Sequence, residues 1–206
     1  MQSIIEYFYS TRSVFAYLGA ARLTVLAKRF DRRVVHKPIN LAVVLAGTGG
    51  SHFADRPAGR RAYFFGREIV RWGEALNIPV LVDPVHHVGD RAPPSGFVIA
   101  AQRLGADVDA LSQAILTALW RDDRDIGDMS VLAAIAREAG IDPTPLRAMA
   151  LTAEIQAEFA ANDAEAIRRG VFGSPTYVVD GDPFYGQDRL DHVERALVRP
   201  FRPGWL

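Results

Sequence analysis

Hydrophobic residues predict a strand, a helix and a second strand at the start of the chain. The run Ile4–Tyr9 is rich in β-branched and aromatic residues and predicts a mostly buried strand. After the polar break at Ser10–Ser13, helical spacing of three apolar residues predicts a helix to about residue 28: Leu18, Ala21 and Val25. Val34–Ile39 predicts the second strand. A strand, helix and strand within about 40 residues favour parallel pairing with a right-handed crossover.

Helical patterns dominate the middle of the chain, from Pro57 to about Arg169. The glycine-rich segment Ala46–Gly50 lacks the spacing of phosphate-binding loops and predicts a flexible loop. A helix over residues 63–76 ends at Asn77–Pro79, and Arg91–Pro94 predicts another loop. Further helices are predicted over residues 96–104, 109–120, 130–139, 143–149 and 152–168.

Strand patterns return only near the C-terminus. Thr176–Val179 and Phe184–Tyr185 predict two strands, joined by a hairpin turn at Asp180–Asp182. A closing helix from about Arg189 presents three apolar residues on one face: Leu190, Val193 and Leu197. Strands at both ends with helices between them favour one sheet interrupted by a helical insertion.

Composition excludes several classes of function. The 206 residues include 24 basic and 24 acidic side chains, so no net charge favours nucleic acid or an anionic membrane. The chain has no cysteine, which excludes disulfides, thiolate zinc sites and redox chemistry on its own sulfur. Its histidines lack metal-ligand spacing, so no metal is expected. Without a basic leader or a long apolar run, the sequence predicts a cytoplasmic protein.

A proline stands directly before the predicted strand Thr176–Val179. Such a proline belongs at the first residue of a strand, at an edge or at a bulge, because it cannot donate to a sheet. Gly173 and Ser174 in front of Pro175 predict a tight turn, of the kind that favours a cis bond. A cis bond would leave the Ser174 backbone free to bind an extended ligand. The alternative is an ordinary strand-opening turn.

The predicted order of elements is the plan of the thioredoxin fold, in which the first helix starts opposite the cis-proline loop. Ser13 stands at that helix start. The segment Phe8–Leu18 resembles the opening of the DsbA-like branch that contains 2-hydroxychromene-2-carboxylate isomerases and kappa-class glutathione transferases. Those proteins carry serine where redox relatives carry their first cysteine. Three more segments resemble that family, namely its helical-domain signature, its cis-proline loop and its second glutathione contact: Trp120–Asp128, Gly170–Thr176 and Phe184–Arg189.

The resemblance implies an α/β, thioredoxin-like fold with an all-helical insertion. Its thioredoxin-like parts are expected at residues 1–80 and 170–206, with the helical domain at residues 81–169. It also implies glutathione as cofactor, a homodimer, and a cis–trans isomerase of aromatic catabolism acting on a conjugated pyruvate-like substrate. A kappa-like transferase that conjugates a small electrophile is the alternative enzyme.

Ser13 suits two roles at the start of the helix. A helix N-terminus carries about half a positive charge and unpaired N–H groups, so it stabilises a thiolate placed there. The serine hydroxyl can donate to that sulfur, and the absence of cysteine means that the sulfur arrives on a ligand. The alternative role is a helix N-cap alone. Ser10 and Thr11 compete with Ser13 for both roles.

The resemblance assigns glutathione contacts to four further residues. Ser174 and Pro175 match the element that pairs with the cysteinyl unit like a neighbouring strand. Gln187 and Asp188 open the last helix, where N–H groups can bind the γ-glutamyl carboxylate and Asp188 its ammonium group. Asp188 is also suited to cap that helix.

The chain departs from the family at the site itself. Relatives have Ser-Pro at the helix start, where this chain has Ser13–Val14, and they carry a lysine and an asparagine at the positions of Ala46 and Gly50. Three residues are candidates to replace the missing cation: Lys37, His52 and Arg56. The departures keep two other functions open, a non-catalytic glutathione binder and a pure interaction module.

Overall fold

A mixed sheet forms the centre of the computed structural model, which describes residues 3–51 and 55–202. The described residues contribute four strands: β1 (Ile4–Tyr9), β2 (Arg33–Pro38), β3 (Thr176–Val179) and β4 (Asp182–Tyr185). Their order is β2-β1-β3-β4, with β1 parallel to β2 and antiparallel to β3, and β3 antiparallel to β4. The prediction that both ends of the chain share one interrupted sheet is confirmed.

Strand β1 buries side chains on both faces of the sheet. Ile5, Tyr7 and Tyr9 enter the main hydrophobic core, whereas Phe8 belongs to a second cluster. That cluster also includes Val178 and three residues outside the sheet: Ile39, Val44 and Val171. Burial on both faces explains why β1 and β3 have near-continuous hydrophobic sequences rather than alternating ones.

Helix α1 (Val14–Arg29) buries a different face from the predicted one. Leu18 is buried, but Val25 is 67% exposed. The buried residues of its second half are Leu23, Leu26 and Ala27. The prediction that Leu18, Ala21 and Val25 form the buried face was therefore wrong at Val25. The face through Leu23 and Leu26 is buried instead, because it offers more apolar surface to the core.

Two predicted loops are partly helical. Residues 46 and 47 of the glycine-rich segment end helix α2 (Leu41–Gly47), which Asn40 caps through its side chain. Residues 92–94 open helix α5 (Ala92–Arg103) rather than ending a loop. Prolines are tolerated in a first helical turn because its N–H groups have no partner within the helix.

The remaining helices lie in the predicted helical block or at the predicted closing helix, although α3 was not predicted separately and the predicted helix over residues 63–76 begins as a π-helical turn. They are α3 (Ala58–Ala62), a π-helical turn (Tyr63–Arg67), α4 (Glu68–Leu76), α6 (Val108–Trp120), α7 (Met129–Glu138), α8 (Pro143–Met149), α9 (Ala153–Arg168) and α10 (Leu190–Val198). Helix α4 ends at Asn77, which adopts a left-handed conformation with φ of 52°. In the part of the chain that the structure describes, no helix is long and apolar enough to cross a membrane.

The helical insertion and the sheet share one core. Phe97, Leu116 and Trp120 of the insertion belong to the same buried cluster as Tyr7 and Tyr177 of the sheet. Helix α6 packs against α1, and α5 packs against β2. The fold is thus the expected thioredoxin-like one with a helical insertion, whereas the boundaries at residues 80 and 169 remain a prediction.

Candidate active site

Ser13 caps helix α1 at the edge of the sheet. Its backbone is extended, with φ of −87° and ψ of 119°, and its Oγ accepts a hydrogen bond from the Ala16 N–H at 3.2 Å. Of the competing candidates, Ser10 Oγ accepts from the Arg12 N–H at 3.3 Å. Thr11 Oγ1 is buried and has no hydrogen-bond partner among the described residues. The cap is therefore Ser13.

The Ser13 hydroxyl also donates to the cis-proline loop. Its Oγ lies 3.3 Å from the Ser174 carbonyl oxygen, and the Ser10 N–H donates to Ser174 Oγ at 2.9 Å. These two links hold the turn before α1 against the loop before β3. The Ser174–Pro175 bond is cis, and the Ser174 carbonyl accepts one hydrogen bond from Ser13, a contact that the sequence did not predict.

The first turn of α1 is electropositive. It contains no acidic side chain, and the N–H groups of a first turn have no partners within the helix. The partial positive charge of the helix is therefore not neutralised at Ser13. The Ser13 hydroxyl is partly exposed. An approaching anion therefore meets both the hydroxyl proton and the positive end of the helix.

The cis-proline loop is joined to the segment that carries Gln187 and Asp188. The Gly186 N–H donates to the Pro175 carbonyl at 2.9 Å, and Gly186 adopts φ of 107°, which favours glycine. The two loops therefore lie side by side. The structure thus brings Ser13, Ser174 and Pro175 to one edge of the sheet, with the turn at Gly186 next to them.

Gln187 and Asp188 differ in their accessibility. Gln187 is buried, and its Oε1 accepts from the Arg22 guanidinium at 2.9 Å. Its Nε2 is buried without a partner among the described residues. Asp188 is partly exposed and pairs with Arg189 at 3.0 Å. Asp188 is therefore available to a ligand, whereas the Gln187 side chain is directed into the protein.

A buried arginine, which sequence reasoning treated as part of a polar break, fixes the turn before Ser13. Arg12 is 3% exposed, and its guanidinium donates to the carbonyls of His86, His87 and Asp90 at 2.6 to 3.3 Å. Gly89 lies directly against it, since a Cβ there would lie 2.6 Å from Nη2. Burial lowers the pKa of Arg12, with the charge of Arg91 adding to that effect. No sequence motif signals this contact.

An aromatic pair covers the other side of the cis-proline loop. The rings of Phe172 and Tyr185 meet edge to face, with centroids 5.0 Å apart. The Tyr185 ring lies on the backbone of Gly173, because a Cβ there would be 2.2 Å from Cε2. Both rings are about half exposed. The only sequence signal for this arrangement was the glycine before Ser174.

The three candidates for the missing cation have different positions. Lys37 is committed to ion pairs with Glu165 at 2.6 Å and Glu6 at 3.4 Å, so it does not serve the site. His52 lies outside the described residues. Burial raises the pKa of Tyr185, and the positive charge of Arg56 opposes that rise.

Comparisons with known proteins agree with this fold. A family model described as a DSBA-like thioredoxin domain matches residues 4–198. The chain is 25% identical over 198 residues to a 2-hydroxychromene-2-carboxylate isomerase of Sphingobium xenophagum, covering 96% of this chain and 100% of that protein. A solved 2-hydroxychromene-2-carboxylate isomerase superposes with a TM-score of 0.79 at 22% identity, covering 95% of each chain. The cytosolic disulfide reductase DsbM of Pseudomonas aeruginosa, solved with GSH, gives a TM-score of 0.66 at 21% identity, over 96% of this chain and 93% of that one.

Proposed function

The chain belongs to the family of DSBA-like thioredoxin domains, and we propose that it is a glutathione-dependent isomerase of conjugated aromatic carboxylates. The relatives named 2-hydroxychromene-2-carboxylate isomerase support this class of reaction, and they align over nearly the whole chain. The DsbM structure with GSH supports glutathione as the ligand of such a fold.

The observation that carries the proposal is the position of the Ser13 hydroxyl. It stands at the start of α1, without an acidic neighbour in the first turn, and 3.3 Å from the carbonyl before the cis-proline. The chain has no cysteine to use in this place. The residues therefore suit a thiol that the ligand brings, and bound glutathione supplies a thiolate nucleophile that adds reversibly to a conjugated double bond.

Ser13 is proposed to exchange one hydrogen bond for another when the ligand binds. Its single proton is directed at the Ser174 carbonyl, while one of its lone pairs accepts from Ala16. Turning the proton to the ligand sulfur leaves the cap intact and frees the Ser174 carbonyl. That carbonyl then accepts an N–H from an extended peptide-like ligand, as in strand addition.

The other residues at this edge have separate proposed roles. Asp188, partly exposed beside the cis-proline loop, suits the ammonium group of the γ-glutamyl unit. The backbone at Pro175 fixes the neighbouring turn through Gly186 and so positions that carboxylate. Gln187 is proposed to act through its backbone, because its side-chain oxygen is held by Arg22.

The test compares Ser13→Ala with Ser13→Thr, using a 2-hydroxychromene-2-carboxylate with and without glutathione. Threonine keeps the hydroxyl and the cap, so it is the matched control. Removing one donor from a developing or bound anion costs about 100- to 1,000-fold in kcat, and we expect a loss of this size in Ser13→Ala only. Equal turnover by Ser13→Ala and the wild type, or turnover independent of glutathione, contradicts the proposal.

A non-catalytic glutathione binder is the second candidate, favoured by Ala46 and Gly50 at the positions of the family's lysine and asparagine. Ala46 lies within α2, and the Gly50 backbone lies against Leu45, where an added Cβ would be 2.7 Å from Cδ2. Calorimetric binding of glutathione without turnover on enone or electrophile panels supports the binder over the isomerase and the transferase.

A further inference from the structure

The turn that carries Gln187 and Asp188 rests on helix α1. It spans Gln187–Arg189, between β4 and α10, and is called the 187–189 turn below. A Cβ on Gly19 of α1 would lie 3.1 Å from Gln187 Cβ, so the glycine lets the turn approach the helix closely. Further along α1, Arg22 Nη1 donates to Gln187 Oε1 at 2.9 Å and to the Gln187 carbonyl at 3.3 Å. Helix α1 therefore holds the 187–189 turn by packing and by hydrogen bonds.

The Gln187 side chain is buried in a way that packing alone does not explain. The residue is 1% exposed, and its Nε2 has no hydrogen-bond partner among the residues that the structure describes. A buried amide donor without a partner is unfavourable, so an apolar side chain would suit this space better if filling it were the only need. An apolar side chain, however, could not accept the hydrogen bond from Arg22. The position therefore serves the contact with Arg22.

Arg22 directs its guanidinium to this one residue. Within residues 3–51 and 55–202, its side chain forms hydrogen bonds to Gln187 alone. A hydrogen bond from a charged donor is shorter and stronger than one between neutral groups. Since the same nitrogen binds the backbone carbonyl and the side-chain oxygen of Gln187, movement of the 187–189 turn away from α1 breaks both bonds. Arg22 thus fixes the turn against the helix.

The 187–189 turn also places Asp188 against the backbone that joins the cis-proline loop. Gly186 donates its N–H to the Pro175 carbonyl at 2.9 Å, and its own carbonyl accepts from the Arg189 N–H at 3.0 Å. Asp188 Oδ1 lies over Gly186, in the space that a Cβ on this residue would need. The position of the Asp188 carboxylate therefore depends on both of its neighbours in the chain, Gly186 and Gln187.

We propose that Arg22 is a positioning residue that, through Gln187, holds Asp188 where it binds the ammonium group of a γ-glutamyl ligand. The inference rests on the proposed function, which assigns that group to Asp188. It adds a selectivity to the site. Thiol ligands that carry the ammonium group bind in preference to ligands that lack it, and this preference depends on Arg22, although Arg22 does not touch the ligand.

The experiment compares the calorimetric binding of glutathione and glutaryl-cysteinylglycine, which is glutathione without its ammonium group. The variants are Arg22→Met, Arg22→Lys, Asp188→Asn and the double variant of Arg22→Met with Asp188→Asn. Arg29→Met is the matched control, because Arg29 lies on the same helix and pairs with Glu194 of α10 instead of the 187–189 turn. The wild type is expected to prefer glutathione by about 10- to 100-fold, the range for a hydrogen bond between charged groups.

Arg22→Met is expected to reduce this preference by about 3- to 10-fold, whereas Arg29→Met keeps it and Arg22→Lys, which retains a cationic donor, keeps most of it. Asp188→Asn is expected to abolish the preference. In the Asp188→Asn background, Arg22→Met is expected to leave glutathione binding unchanged, because Arg22 acts through Asp188. A purely structural role of Arg22 would instead weaken both ligands equally and leave the preference intact.

Three results overturn the positioning role while the role of Ser13 stands. They are an unchanged preference in Arg22→Met, a further loss of glutathione binding when Arg22→Met is added to Asp188→Asn, and equal binding of the two ligands by the wild type. Absence of glutathione binding by the wild type contradicts the proposed function itself, and the positioning role with it.

Discussion

Replacing Arg12 by methionine tests whether the turn before Ser13 depends on a buried cation. The guanidinium donates four hydrogen bonds to three backbone carbonyls of residues 86–90. Methionine fills a similar volume but leaves those carbonyls without donors. The segment 85–91 therefore loses its attachment to the start of α1.

The magnitude follows from two opposing effects. Each buried carbonyl left without a donor costs about 1–3 kcal/mol, and three are affected. Two effects reduce this cost. Burying a guanidinium is itself unfavourable, so removing the charge offsets part of the lost free energy. The exposed side chains of Val85 and Val88 also show that water reaches the segment and can donate to its carbonyls. We expect a net loss of about 2–4 kcal/mol in the free energy of unfolding, a large share of a typical 5–15 kcal/mol.

Urea unfolding followed by circular dichroism measures this loss. Arg103→Met is the control, because Arg103 forms surface ion pairs with Glu154 and Glu158, and such pairs contribute about 1 kcal/mol or less. A free energy of unfolding for Arg12→Met within about 0.5 kcal/mol of the wild type would refute the reasoning, since it lies at the level of ordinary surface substitutions.

Two further predictions concern stability. Burial raises the pKa of Asp163 to about 6, whereas an unfolded chain has a pKa of about 3.9 for aspartate. Between these two pKa values the folded state binds more protons than the unfolded state. The free energy of unfolding therefore falls as pH rises from about 4 to about 6. Asp163→Asn keeps an acceptor for the Asn40 N–H and is expected to stabilise the protein by about 1–3 kcal/mol near pH 8 but not near pH 4; a gain that is the same at both pH values contradicts this. Gly96→Ala is expected to cost about 1–3 kcal/mol, because its Cβ would lie 2.1 Å from the Ala150 carbonyl oxygen. Gly59→Ala, which meets nothing within 4 Å, is expected to be neutral or to gain about 0.5–1 kcal/mol; thermal melts that rank the two variants in the opposite order exclude the packing explanation.

The sequence was sufficient for the main strands of the sheet and for the juxtaposition of Ser13 with the cis-proline loop. β1 and β3 were predicted with their observed bounds, since their residues are hydrophobic on both faces and punctuated by polar or glycine-rich turns. The order of elements then placed Ser13 opposite the loop of Ser174 and Pro175, and the structure has Ser13 in contact with Ser174. Local pattern and fold topology together fix this juxtaposition.

Contacts between distant segments were not predictable in the same way. The clamp of Arg12 on residues 86–90 joins parts of the chain more than 70 positions apart, and no local pattern encodes it. Lys37 was wrongly available as a candidate cation for the site, because the sequence does not show that it forms ion pairs with the distant residues Glu6 and Glu165. Val25 was misplaced because two apolar stripes of α1 compete, and only packing against the core selects between them.

The thiol pKa of bound glutathione tests the proposed role of Ser13 most directly. The ultraviolet band of the thiolate, followed against pH for the wild type, Ser13→Thr and Ser13→Ala, reports this pKa without any second substrate. The Ser13 hydroxyl and the N-terminus of α1 are expected to lower it below the ordinary thiol value of about 8.5 in the wild type and in Ser13→Thr. In Ser13→Ala, the thiol pKa is expected to return most of the way to that value. Bound and free glutathione with the same thiol pKa in the wild type would contradict the proposed role of Ser13.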